Sequence, residues 1–175
     1  MDITIAILGG VLSGIVAMEF YTRAIFKKSP NIKIADTMIQ LDDNTLQTKI
    51  INMDYRVIVD INLYFYSIVY LEKETNDPIK SKELISSRYI PLVSKYRSFD
   101  EKDIPLGSVR IKIPLVDTIE NINNKSDKFM LVITAKDSLY GSMFAKSIMF
   151  DKNEIKKDIK FQKGYSFETT TINHK

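Results

Sequence analysis

Hydrophobic and polar positions follow two regimes along the chain. Residues 3–18 read ITIAILGGVLSGIVAM without a charge, whereas from Pro30 onward the dominant period is two. The alternation is clearest where Val57, Val59, Ile61, Leu63 and Phe65 interleave with Ile58, Asp60, Asn62, Tyr64 and Tyr66. Such a strand buries one face. Further strands are predicted over residues 32–41, 46–53, 109–113, 129–135, 143–150 and 159–167, divided by the turn-forming clusters Asp42-Asp43-Asn44, Asn76-Asp77-Pro78 and Asn123-Asn124. Strands of this length and spacing predict two packed antiparallel sheets, an immunoglobulin-like β-sandwich. Residues 72–106 mix polarity, carry three prolines, and read as irregular structure or a weak extra strand; short helices fit residues 82–86 and 116–122.

The apolar start predicts a single transmembrane α-helix. A helix over residues 3–26 would be about 36 Å long, against a hydrocarbon core of about 30 Å. Asp2 precedes the run, and Arg23, Lys27 and Lys28 follow it. By the positive-inside rule this asymmetry keeps the carboxyl side in the cytoplasm, and Pro30 ends the helix. Glu19 and Arg23 then lie near the inner interface, pair at i, i+4 spacing, or face a polar lumen. Three of the six glycines fall in this segment, and Ala6, Gly10 and Gly14 form one small-residue stripe. Either the stripe packs helices together or it reflects the ordinary frequency of glycine in membrane helices. The expected organisation is residues 1–28 as helix and basic flank, 29–168 as the sandwich and 169–175 as a frayed tail.

Composition narrows the chemistry. With 45% hydrophobic and 27% charged residues among 175, the chain has enough apolar material for one core. Its 25 basic and 22 acidic residues leave a net charge of +3, too mixed to imply a nucleic-acid partner. There is no cysteine, and the one histidine, His174, is next to last. No phosphate loop, paired acids or Gly-x-Ser-x-Gly turn occurs, so neither an enzyme, a metal nor a cofactor is expected.

Several short motifs follow one another in order. Lys27-Lys28-Ser29-Pro30 leads into Ile34-Ala35-Asp36-Thr37-Met38-Ile39, then Asp42-Asp43-Asn44-Thr45-Leu46, and Asn52 before Val59-Asp60-Ile61-Asn62-Leu63. Ala145-Lys146-Ser147, Glu154-Ile155 and Lys160-Phe161 close the series. Together they resemble the inner helix and cytoplasmic domain of inward-rectifier potassium channels. Lys157 and Asp158 stand where that family has tryptophan and glycine, and the outer helix, pore helix and Thr-x-Gly-Tyr-Gly filter have no counterpart. The resemblance implies a cytoplasmic ring, normally a tetramer, beneath a helix bundle. It also implies Lys27 and Lys28 as contacts for lipid head groups and Glu19 as an acid near the shared axis.

The resulting expectation is a single-pass membrane protein, a homo-oligomeric ion-conducting or channel-gating module with its sandwich in the cytoplasm. The alternative is a membrane-tethered adaptor or sensor whose sandwich binds a partner protein or small ligand. Tyr64, Tyr66 and Tyr70, sharing a strand face with Asp60 and Asn62, either line a binding surface or are half covered by neighbouring structure.

Overall fold

The computed structural model describes residues 29–71 and 80–172. They form β1 (Ile32–Ile34), β2 (Met38–Asp42), β3 (Thr45–Asn52), β4 (Ile58–Tyr70), β5 (Lys80–Val93) and β6 (Ser108–Pro114). Helix α1 (Ile119–Lys125) comes next, then β7 (Lys128–Asp137), β8 (Met143–Phe150), β9 (Ile155–Lys156), β10 (Ile159–Phe161) and β11 (Thr169–Thr171). The chain is mainly β, as its period-two pattern predicts.

One sheet has four strands in the order β5-β4-β7-β8, all neighbours antiparallel. The other has five: β3 pairs with β6 along one side and with β1 and β2 along the other, and β2 adds β9 in parallel. Their inner faces share a single core. Leu46, Ile50, Ile111 and Ile113 from the five-stranded sheet pack in one cluster with Ile61, Leu63, Phe65, Phe129, Leu131 and Ile133 from the four-stranded sheet. Phe65 and Phe129 stack at its centre, their ring centroids 5.5 Å apart.

Both ends of the sandwich are closed by specific residues. At one end α1 inserts Ile119 and Ile122 into the core. Thr118 caps its first turn by accepting from the Asn121 N–H, while the Asp117 carboxylate accepts from the Thr118 N–H and the Asn121 side chain. At the other end Arg56 is buried between Asp54, 2.8 Å away, and Asp137, whose side chain is fully buried. Asn52 completes this polar plug, donating to the carbonyls of Arg56 and Ser94. Asn52, Arg56 and Asp137 in this plug thus each have partners, which offsets the cost of removing them from water.

A second, smaller core lies on the outer side of the five-stranded sheet. The antiparallel β10–β11 hairpin lays Phe161 there against Ala35 and Ile39, with Ile159 and Phe167 packed alongside. This explains why β3 runs buried from Thr48 to Asn52 without alternation: both of its faces are covered. Residues 169–171, within the stretch read as a tail, supply β11.

The membrane and ion-channel expectations require correction. Among the described residues no helix is long and apolar enough to cross a membrane. Helix α1 has seven residues, so at the usual rise it spans only about 10 Å. A single-pass membrane location with a cytoplasmic domain, and with it ion transport, is therefore not what this structure supports. The stretch on which those expectations rested, with Ala6, Gly10, Gly14, Glu19, Arg23, Lys27 and Lys28, lies outside the described residues. Residues 82–86, read as a possible short helix, are instead the interior of β5.

Candidate functional site

Lys49 marks the site. In the β3–β6 ladder Gln47, Lys49 and Ile51 lie on the outer face, because Leu46, Thr48 and Ile50 alternate with them and Leu46 and Ile50 point into the shared core. Lys49 is only 1% exposed, since the chain from Gln162 to Ser166 passes over it on the way from β10 to β11. Its ammonium donates to the Gln162 carbonyl at 2.8 Å and the Ser166 carbonyl at 2.6 Å. Both acceptors are neutral. Burial, and then the nearby Arg110 guanidinium, hold the Lys49 ammonium below the ordinary lysine pKa. Arg110 is the residue directly opposite Lys49 in the ladder.

Beside Lys49 opens a cavity of about 390 Å³. Its floor is Lys49 with Ser108 and Arg110 of β6; one wall is the loop of residues 99–105, and the other is the strap at Gln162, Lys163 and Gly164. Internal hydrogen bonds shape that loop. The Asp100 carboxylate accepts from the backbone N–H groups of Lys102 and Ile104, each at 2.8 Å, and Asp103 adopts a positive φ of 55° that aspartate tolerates.

Tyr165 binds loop to strap. Its hydroxyl donates to the Ser98 carbonyl at 2.9 Å and accepts from the Gly107 N–H at 3.3 Å, while its ring meets Tyr96 and Phe99 edge-on. Gly107 permits this approach. A Cβ there would stand 2.5 Å from the Lys95 carbonyl oxygen and 3.0 Å from the Tyr165 hydroxyl. The cavity is thus enclosed by separately anchored pieces of structure, with four cations around it, Lys49, Lys102, Arg110 and Lys163, and one carboxylate, Asp103.

A second surface is the outer face of the four-stranded sheet. The pairings align Leu84, Tyr66, Met130 and Met149 in one row across all four strands, with Ser87, Tyr64, Val132 and Ser147 in the next. Leu84, Met149, Tyr89 and Leu92 are all exposed on this side of the molecule. The tyrosines singled out from the sequence therefore divide: Tyr64 and Tyr66 sit within the open face, while Tyr70 closes the strand, its N–H donating to Asp127. Asp60 sits in a bulge at φ 52°, accepting from the Lys136 ammonium and the Tyr89 hydroxyl, each at 3.0 Å. The Lys136 hydrogen bond and then that from Tyr89 hold its carboxyl below the ordinary range.

None of the cavity's cations was among the residues expected from sequence. One signal was available: the adjacent apolar pair Ile50-Ile51 breaks strict alternation and implies cover on both faces, which places Lys49 in a buried row with Ile51. No sequence signal brings residues 99–105 and 162–164 to that row, because strand order does so.

No protein-family model matches the chain, and no curated protein matches it. Among solved structures it is similar to OgpA from Akkermansia muciniphila, solved with an O-glycopeptide substrate, with a TM-score of 0.37 and 11% identity over 74% of this chain. It is also similar to Spo0M, a sporulation control protein from Bacillus subtilis, with a TM-score of 0.38 and 8% identity over 71% of this chain. The chain spans 31% of the former and 49% of the latter. Neither is an inward-rectifier channel, and at these scores neither carries an argument about function.

Proposed function

We propose that this chain is a binding module, a sensor or adaptor that holds a small ligand in the cavity between the loop of residues 99–105 and the strap above Lys49. The observation that carries this reading is the construction of the cavity. Tyr165 fixes its two walls to each other, and Lys49 fixes the strap to the floor, so the space is preformed. Preformed space lowers the ordering cost of binding. The chemistry around it favours holding over turnover: its lining offers ammonium and guanidinium donors, a hydroxyl and apolar side chains, with no nucleophile beside a general base. In fold type we read the sandwich as immunoglobulin-like, a reading supported by two largely antiparallel sheets around one core.

The test is a fragment screen on the full chain by two-dimensional NMR. Binding fragments are expected to shift the amide signals of Ser108, Arg110, Lys163 and Gly164 together. If no fragment moves these signals, the reading fails.

The open face of the four-stranded sheet favours a second reading, in which the sandwich docks a partner protein, a second copy of this chain included. Contiguous exposed apolar side chains on a sheet mark interaction surfaces more often than plain surface. Replacing Leu84 and Met149 with glutamate is expected to abolish such an association by light scattering or pull-down while leaving ligand shifts at the cavity intact.

A further inference from the structure

We propose that the cavity takes a small organic anion, with its phosphate or carboxylate at Lys49 and Arg110 and its apolar body against Phe99, Ile104 and Pro105. The inference rests on the reading of the cavity as a ligand site and adds the class of ligand.

Charge balance is the first argument. Lys49 is 1% exposed, and its hydrogen-bond acceptors are two neutral carbonyls. Across the ladder, directly opposite it, stands Arg110, and like charges facing each other across a pair of strands destabilise the sheet. Lys102 and Lys163 bring two more cations to the mouth, against the single carboxylate of Asp103. Among the described residues no carboxylate lies within ion-pair distance of any of the four cations. A bound oxyanion supplies the missing negative charge.

Unused donors are the second argument. An ammonium has three N–H groups, and Lys49 commits two of them. Among the described residues no hydrogen bond uses the Arg110 guanidinium, whose planar fork matches the two oxygens of a carboxylate or phosphate. The floor therefore presents donors aimed at one kind of group.

The opposite wall has different chemistry. Phe99 and Ile104 are each 49% exposed, and Pro105 lies beside them. The Phe99 ring is held edge-on to Tyr165 at 5.6 Å, so its orientation is set before anything binds. An inorganic ion would leave this wall bare, whereas an organic acid or phosphate monoester covers it while reaching the cations. A cavity of about 390 Å³ suits a ligand of a dozen or so heavy atoms, at the small end of ligand pockets.

Isothermal titration of the full chain tests this with four probes: phenyl phosphate, benzoate, inorganic phosphate and benzyl alcohol. Saturable binding of phenyl phosphate or benzoate is expected, weakened about tenfold by Arg110→Gln and by Lys163→Gln, each of which removes a charge-assisted contact. Both side chains are exposed, so these variants leave the core untouched. The tighter of the two organic anions identifies the head group. Inorganic phosphate binding as tightly as phenyl phosphate would overturn the role of the apolar wall, and anion binding unchanged by both variants would overturn the site. Benzyl alcohol binding at the cavity while no anion does would overturn the inference and leave the ligand-site reading standing. Amide signals at the cavity that respond to no fragment at all would remove both.

Discussion

Arg56 is buried between two carboxylates, and the three groups are stable only as a set. Its guanidinium satisfies Asp54 and the fully buried Asp137, and Asp137 in turn accepts from the Leu139 N–H. Replacing it by methionine keeps the bulk and abandons both acids, so Arg56→Met is expected to cost about 3–5 kcal/mol in urea denaturation. The same group makes stability depend on pH. The hydrogen bond from Arg56 is the main influence holding the Asp54 carboxyl below the ordinary value of 3.8. Its ionised form therefore adds stability that is fully present above that value and is lost as pH falls through the lower folded-state pKa. Urea midpoints followed into the acid range should show this loss in the native chain and a smaller one in Asp54→Asn.

Among the elements, most strands of the two sheets are legible in the sequence, even where a bulge or double cover disturbs the alternation, whereas β5 is only half so. β8 was predicted with the bounds it has, and β4 and β7 within a few residues, because one face of each meets the core. β5 lies within residues 72–106, read as irregular structure or a weak extra strand, and its faint signal has a physical reason. The register shifts between Phe65 and Tyr66: Leu84 stands opposite Tyr66 and Ser86 opposite core-facing Phe65, so the buried Ile85 between them is an extra residue that breaks the period of β5. Its outer residues Leu84, Tyr89 and Leu92 are apolar, and Pro91 interrupts it, which an edge strand tolerates. The candidate cavity was less legible still, since it depends on three segments meeting through Tyr165 and Lys49. Tyr165→Phe keeps the ring contacts and removes the hydroxyl. It is expected to cost about 1 kcal/mol and to speed hydrogen exchange at the Gly107 amide, measured by NMR.

At the scale of the whole molecule, the shared core makes the two sheets one cooperative unit. Phe129 is fully buried, stacks on Phe65 and belongs to the same cluster as residues of the facing sheet. Phe129→Ala should therefore destabilise the entire sandwich by about 3–5 kcal/mol. The urea midpoint should fall with its slope unchanged, a signature of one transition. The apolar start is the most conspicuous stretch of the sequence, while the organisation of the described residues comes from the period-two remainder and from the polar plug and α1 that close its two ends.

The strap over Lys49 also sets an order of events. The carbonyls that hold its ammonium lie 113 and 117 residues further along the chain, at Gln162 and Ser166. Every strand of the principal core emerges from the ribosome before them. A nascent chain can therefore complete the sandwich while the cavity still lacks one of its walls, and it acquires a place for a ligand only when the final hairpin closes.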